Sequence, residues 1–161
     1  MLILSDSGIL LRLFEASDPL HPVVKRAVDA LGTPGEKLVT APQNVAEFWN
    51  VCTRPASPRG GLGLSVADAE VRLRDVEQRF ALLAEPPATY AVWRGMVVAH
   101  AVRGKQVHDA RLAALMQTHG LTHILTLNGG DFARYPGVVV IDPATVLPPP
   151  PSPTAPPVAT G

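Results

Sequence analysis

Three aspartates of this chain occupy positions where an isolated charge would be costly. Asp6 follows a short apolar run that predicts a buried strand. Asp109 lies in the first turn of a predicted helix, at the rim of its apolar face, and Asp131 follows another predicted strand and two glycines that permit a sharp turn. An ionised carboxylate that leaves water without a partner costs several kcal/mol or more. We therefore expect a cation or a hydrogen-bond donor where these side chains lie.

The elements that must position these acids alternate between strands and helices. Short continuous apolar runs predict strands at residues 2–4, 37–40, 81–84, 122–127 and 137–141. Amphipathic or proline-opened stretches predict helices at residues 8–15, 23–31, 42–53 and 87–102, with two further helices beginning after Ser65 and at Gln106. This alternation predicts an α/β fold in which helices flank a mostly parallel central sheet on both faces.

Length and composition limit the classes of protein to which the chain can belong. The 161 residues fit one domain, expected at residues 1–147, whereas residues 148–161 contain seven prolines and predict a disordered tail. No run approaches the roughly 18 apolar residues of a membrane span, so we expect a cytoplasmic protein. The single cysteine, Cys52, cannot form an internal disulfide and is interpreted as a core residue. The 14 basic and 14 acidic residues balance, so any nucleic-acid contact must be local.

The predicted topology brings the three aspartates to one edge of the sheet. In a parallel α/β sheet, ligands bind beyond the carboxyl ends of the strands, where Asp6 and Asp131 lie and where Asp109 can join them. Repulsion between three carboxylates would raise the pKa of at least one of them unless a divalent cation were bound. Oxygen ligands without a usable set of cysteines and histidines favour Mg²⁺, or Mn²⁺, over zinc. Glu47, on the polar face of its predicted helix, is by itself interpreted as a solvated side chain.

Four short motifs, each containing one acid, follow one another along the chain. They are Asp6 after the first strand, Ala46-Glu47-Phe48-Trp49-Asn50, Val107-His108-Asp109-Ala110-Arg111, and Thr126-Leu127-Asn128-Gly129-Gly130-Asp131-Phe132. In order and spacing they resemble the PIN domain, in particular the VapC-like ribonucleases of toxin–antitoxin systems, and the resemblance extends from residue 1 to about 143. It implies a PIN-like three-layer sandwich, metal-dependent endonucleolytic cleavage of RNA, and an antitoxin protein as partner.

The resemblance also implies roles for individual residues. Asp6, Glu47, Asp109 and Asp131 match the family's catalytic acids, with Asp6 and Asp109 holding the metal and the other two acting directly or through water. Supporting polar residues match at Ser7, Thr126 and Asn128. The family often has Asp-Thr-Asn where this chain has Asp6-Ser7-Gly8, so an amide that would help to orient the metal site is missing here.

Several interpretations stay open at the level of the sequence. Arg12, Arg54 and Arg111 are candidates for contact with RNA, although an ion pair explains Arg111 equally well. His108 is a candidate general base, but a capping or packing role is the simpler interpretation. A catalytically inactive scaffold that binds RNA or antitoxin would keep the same fold. A phospho-acceptor domain would need a lysine near the last strands, and the only lysines are Lys25, Lys37 and Lys105.

The predicted helix at residues 87–102 carries apolar side chains on nearly every side. A helix of this kind must be buried or must form an interface between subunits. Closed symmetric dimers are the commonest oligomers, so we expect a homodimer to which Tyr90, Trp93 and Val97 contribute.

Overall fold

The computed structural model describes residues 1–32, 37–57 and 60–147. The strands within these ranges are β1 (Leu2–Ser5), β2 (Lys37–Thr40), β3 (Ala81–Leu82), β4 (His123–Leu125) and β5 (Val139–Ile141). The helices are α1 (Ser7–Leu13), α2 (His21–Leu31), α3 (Pro42–Thr53), α4 (Val66–Arg79), α5 (Ala88–Ala99), α6 (Gln106–Thr118) and the short α7 (Gly129–Phe132). A single 3₁₀ turn, Pro143–Thr145, follows the last strand.

The five strands form one sheet in the order β3-β2-β1-β4-β5, and every neighbouring pair is parallel. The central strand β1 pairs with β2 on one side and with β4 on the other, so that Ile3 lies opposite both Leu38 and His123. The winding direction therefore changes at β1, which creates a crevice beyond the carboxyl ends of β1 and β4. The predicted α/β fold with a parallel sheet is confirmed.

Helices cover both faces of the sheet because successive side chains of each strand point in opposite directions. Ile3 packs into a cluster with apolar residues of α1, α2, α3 and α4, whereas Leu4 packs on the other face with those of α6. Cys52 is fully buried in the first cluster, which confirms its interpretation as a core residue. The layers are therefore helix, sheet and helix.

The structure corrects several local predictions. A serine at the start of a helix predicts Ser7 as the cap of α1. Instead, Asp6 is the N-cap and accepts a hydrogen bond from the Ser7 N–H. Asp131 lies in the one-turn helix α7 and not in an open turn. Trp93 and Val97 pack inward against the α6 cluster, whereas Tyr90 is 66% exposed.

The predicted tail at residues 148–161 lies outside the described residues. Within the described ranges, no helix is both long and apolar enough to cross a membrane.

Candidate active site

Asp6 is held by donors from both neighbouring strand ends. It follows β1, is buried, and caps α1, so that its Oδ1 accepts the Ser7 N–H at 2.6 Å. Its Oδ2 accepts the Thr126 hydroxyl at 2.9 Å, and Thr126 follows β4. The Thr126 Oγ1 in turn accepts the Asn128 N–H at 3.1 Å, which fixes the direction of its own proton toward Asp6. Burial raises the pKa of Asp6, and the bonds from Thr126 and Ser7 oppose that rise.

Glu47 is directed into the same crevice and is not simply solvated. The Ser7 hydroxyl donates to Glu47 Oε2 at 2.7 Å, and the Gln43 amide donates to Glu47 Oε1 at 3.0 Å. Ser7 thus contacts Asp6 through its backbone N–H and Glu47 through its side chain. The interpretation of Glu47 as a solvated residue is wrong, because both of its carboxylate oxygens accept hydrogen bonds from the protein. The sequence did not indicate this, since Ser7 lies 40 positions away along the chain.

Asp109 and Asp131 come from α6 and α7, two helices that contact each other. Asp109 is partly buried, and no hydrogen-bond donor meets its carboxylate within the described part of the chain. The pKa of Asp109 is raised to about 6, first by burial and then by the charges of Asp131, Asp6 and Glu47, while the charge of His108 opposes the rise. The four acids therefore share one electrostatic environment at the carboxyl end of the sheet.

The sequence analysis did not single out two residues that support this arrangement. Gln43 lies one turn before Glu47 on α3, and its amide donates to Glu47 and to the His108 carbonyl at 3.1 Å, which ties α3 to the start of α6. Asn44 is fully buried and donates to the Ser5 carbonyl at 2.8 Å. Its position in the helix predicts that Asn44 shares the polar, exposed face with Glu47, and that prediction is wrong. The i,i+4 spacing of Gln43 and Glu47 was the one available signal.

The carboxylates can be tested for their fit to a divalent cation. Their oxygens are the ligands that Mg²⁺ prefers, and within the described residues no hydrogen bond or ion pair reaches the Asp109 carboxylate. Among residues 1–32, 37–57 and 60–147, no three Asp, Glu, His or Cys side chains converge closely enough to ligate one metal ion together. Mg²⁺ usually retains several waters and is held by one or two carboxylates. An ion at this site would therefore be held by one or two of the carboxylates and by water.

Gly8 lies beside Asp6, and its missing side chain leaves space next to that carboxylate. A Cβ at Gly8 would lie 3.8 Å from Asp6 Oδ2 and 3.6 Å from the Arg12 guanidinium, whose Nη1 donates to the Gly8 carbonyl at 3.3 Å. Arg12 is also 3.9 Å from Asp18. The Arg12 guanidinium therefore lies next to the space that an asparagine side chain at position 8 would occupy.

The other two arginines proposed for RNA contact lie on α6 and at the end of α3. Arg54 is the C-cap of α3, seven residues beyond Glu47 and hence about 10 Å along the helix axis. Arg111 lies on α6 two residues beyond Asp109, but its Nη2 forms an ion pair with Glu85 at 2.7 Å. Of the two interpretations of Arg111, the structure shows the ion pair, although with Glu85 and not with the acids of the site.

Comparisons with known proteins agree with this fold. VapBC2 from Rickettsia felis, solved with a DNA fragment from its promoter, is similar at a TM-score of 0.65 and 12% identity, over 88% of this chain and 98% of that chain. FitAcB from Neisseria gonorrhoeae is similar at a TM-score of 0.62 and 21% identity, over 91% of this chain and 100% of that chain. VapC20 from Mycobacterium tuberculosis is described as a sarcin–ricin loop cleaving toxin. It is similar at a TM-score of 0.58 and 20% identity, over 76% of this chain and 86% of that chain.

At such identities, these likenesses concern the fold. No curated protein sequence matches the chain. The sequence profile of the PIN domain matches residues 3–138, which span β1 and the four acids. Because this match extends over most of its length, the chain belongs to the PIN domain family.

Proposed function

We propose that this protein is a metal-dependent endoribonuclease that hydrolyses RNA phosphodiester bonds. The observation that carries the proposal is the raised pKa of Asp109, which results from burial and from the charges of Asp131, Asp6 and Glu47. Like charges that lie close together are costly unless a cation neutralises them, and perturbed carboxylates in a crevice are typical of functional sites. The solved relatives support the RNA substrate, since one of them is described as cleaving the sarcin–ricin loop.

Asp6 and Asp109 would hold Mg²⁺, or Mn²⁺, with Glu47 and Asp131 contributing directly or through water. When bound, such an ion lowers the pKa of a water and stabilises negative charge on the phosphate oxygens. The chain's own contribution is to hold the ligands in place. Thr126 and the Ser7 N–H fix the two oxygens of Asp6, while Ser7 Oγ and Gln43 fix those of Glu47.

We further propose that the protein is the toxin of a toxin–antitoxin pair. Solved relatives with the same fold are complexes of this kind, including VapBC2, FitAcB and a toxin–antitoxin complex from Klebsiella pneumoniae at 22% identity. The antitoxin would be the protein partner, and an RNA substrate would place the toxin in the cytoplasm. Induction of the wild-type gene should arrest growth, and induction of Asp109→Asn should not.

The direct test is a cleavage assay with purified protein and single-stranded RNA. We expect cleavage with Mg²⁺ or Mn²⁺, none with excess chelator, and none from Asp109→Asn under either condition. Asp75→Asn is the matched control, because Asp75 is an exposed aspartate of α4 outside the site, and it should cleave as the wild type does. A wild type that cuts RNA equally well in chelator would contradict the proposed metal dependence.

A catalytically inactive, RNA- or antitoxin-binding scaffold is the second candidate. Two observations favour it, namely Gly8 in place of an amide beside Asp6 and the absence, among the described residues, of three side chains able to ligate one metal ion together. A scaffold would bind RNA without cutting it, and Mg²⁺ would leave its melting temperature unchanged. The cleavage assay and a melting curve with Mg²⁺ therefore separate the two candidates.

We also propose that the protein forms a homodimer through the outer face of α5. A shallow surface there is lined by Tyr90, Ala91, Arg94, Gly95, Val98 and Ala99, and Val98 is 76% exposed. Light scattering should give twice the monomer mass for the wild type and the monomer mass for Val98→Glu. A monomeric wild type at working concentration would contradict this proposal.

A further inference from the structure

A cleft of about 290 Å³ opens between α5 and α6. Its lining consists of an aromatic pair, an ion pair and one hydroxyl, contributed by Tyr90, Trp93, Arg111, Glu85 and Thr89. None of these residues belongs to the acidic site, and only Arg111 was a candidate for RNA contact. The cleft therefore needs its own explanation.

Two aromatic rings line the cleft, of which Trp93 is fixed by a hydrogen bond and Tyr90 is exposed to solvent. The Trp93 indole N–H donates to the Val107 carbonyl at 3.0 Å, which fixes the ring against the first turn of α6. The Tyr90 ring lies 5.9 Å from the Trp93 ring, tilted by 39°, and the residue is 66% exposed. An aromatic face left in water beside a fixed ring offers a stacking surface for another planar group.

The polar wall offers hydrogen bonds without a net charge. Arg111 donates from Nε and Nη2 to Glu85, at distances from 2.7 to 3.2 Å, and its Nη1 makes no further hydrogen bond within the described residues. A neutral ion pair of this kind does not favour a phosphate. It does present a donor and carboxylate lone pairs side by side, which match the polar edge of an uncharged heterocycle.

Gln43 lies between the ion pair of the cleft and the acid Glu47. A small groove that Arg111 and Glu85 also line includes Gln43, and the Gln43 amide donates to Glu47 and to the His108 carbonyl. A strand of RNA whose phosphate lies at the acids could thus place a neighbouring base in the cleft. Pockets for drug-sized ligands begin near 300 Å³, so this volume suits a group the size of one base.

We infer that the cleft formed by Tyr90, Trp93 and the Arg111–Glu85 pair binds one unpaired nucleobase of the RNA, which stacks on Tyr90 and hydrogen-bonds to the ion pair. The inference rests on the proposed function, because RNA must be the substrate. Beyond that function, the inference identifies a base as the part of the RNA that the protein recognises away from the cleaved phosphate. Stacking of this kind is tolerant of sequence, and the ion pair would supply the preference among bases.

The test measures affinity for a short single-stranded RNA containing all four bases, with Mg²⁺, in the non-cleaving Asp109→Asn background. Removing one stacking contact by Tyr90→Leu should weaken binding by about 5- to 100-fold. Tyr90→Phe keeps the ring and should bind as the background does. Val71→Ala removes an exposed apolar side chain of α4, 61% exposed, and should also leave affinity unchanged. Melting curves of the variants exclude a folding defect.

A fluorescence measurement localises the base. Trp49 and Trp93 are the two tryptophans, so Trp49→Phe leaves Trp93 as the only indole reporter. We expect the RNA to quench Trp93 fluorescence in a saturable way and Tyr90→Leu to shift that curve to higher RNA concentration.

Unchanged affinity in Tyr90→Leu would overturn the base site while leaving ribonuclease function intact. Unchanged affinity together with loss of a dimer would overturn it as well and assign Tyr90 to the subunit interface. A wild-type protein that neither binds nor cleaves RNA would overturn the proposed function, and this inference with it.

Discussion

Asp6 and Asp109 differ in how the protein treats their charge. The Asp6 carboxylate is buried, and both of its oxygens accept hydrogen bonds, from the Ser7 N–H and from Thr126. Asp109 is partly buried and receives no donor among the described residues, while the charges of three other acids act on it. The pKa of each carboxyl group is raised, but hydrogen bonds oppose the rise only at Asp6.

We propose that the protein itself organises the Asp6 half of the site and that a counter-charge from outside neutralises the Asp109 half. A carboxylate fixed by short donors keeps its position with or without a cation. A carboxylate held among like charges is stable only when a cation is bound or when it is protonated. The account's central claim is that Asp109 is stabilised by a bound divalent cation and not by the fold.

The largest expected effect comes from Asp6→Asn. The amide keeps the shape of the side chain but replaces one acceptor with a donor, which must face either the Ser7 N–H or the Thr126 hydroxyl. Cleavage should fall by more than about 100-fold, because removing even an outer partner of a metal ligand costs 10- to 100-fold. Initial rates on a labelled RNA would show this, and a rate within a factor of ten of wild type would contradict the role of Asp6.

Thr126→Val should have the next largest effect, on stability. Valine keeps the shape but leaves Asp6 Oδ2 and the Asn128 N–H without their partner. Because the lost bond goes to a charged acceptor, the free energy of unfolding should drop by about 1.5–3 kcal/mol. Urea denaturation measures the change. Thr126→Ser keeps the hydroxyl and should lose less, and a Thr126→Val variant as stable as the wild type would contradict the role of this hydrogen bond.

A smaller effect is expected from pH on the metal-free protein. The pKa of Asp109 is raised from 3.8 to about 6 in the folded state, so between these values the native state binds more protons than the unfolded state. The free energy of unfolding should therefore fall as pH rises from about 4 to 6, by about 1 kcal/mol after screening of this partly exposed group.

Asp109→Asn removes this titration and is the matched control for it. The free energy of unfolding is measured by urea titration in chelator at several pH values. Between about pH 4 and 6 the wild type should become progressively less stable relative to Asp109→Asn, and above about pH 6 the difference should stay constant. A difference independent of pH would show that the carboxylate is not under electrostatic strain.

The order of strands and helices was predictable because it depends on local periodicity. Residues 37–40 and 42–53 were predicted with the bounds of β2 and α3, and the parallel sheet followed from the alternation of elements. Element ends were less certain, since caps depend on single hydrogen bonds. The cap of α1, for example, is Asp6 and not Ser7.

Contacts between distant segments were not predictable from spacing along the chain. Asn44 lies on what reads as a polar face, yet it is buried because the Ser5 carbonyl, 39 residues earlier, accepts its amide. Glu47 appears solvated until Ser7, 40 residues earlier, is brought against it. The resemblance to a family supplied Glu47 as a site residue, but nothing in the sequence supplied its partners.

The most direct test of the central claim is to melt wild type and Asp109→Asn side by side, with chelator and with Mg²⁺. Without metal, removing one of four like charges should leave the variant as stable as the wild type or more stable. Mg²⁺ should raise the melting temperature of the wild type clearly and that of the variant much less, because a ligand stabilises in proportion to its binding to the folded state. A variant that is destabilised without metal and is still shifted by Mg²⁺ as much as the wild type would contradict the account.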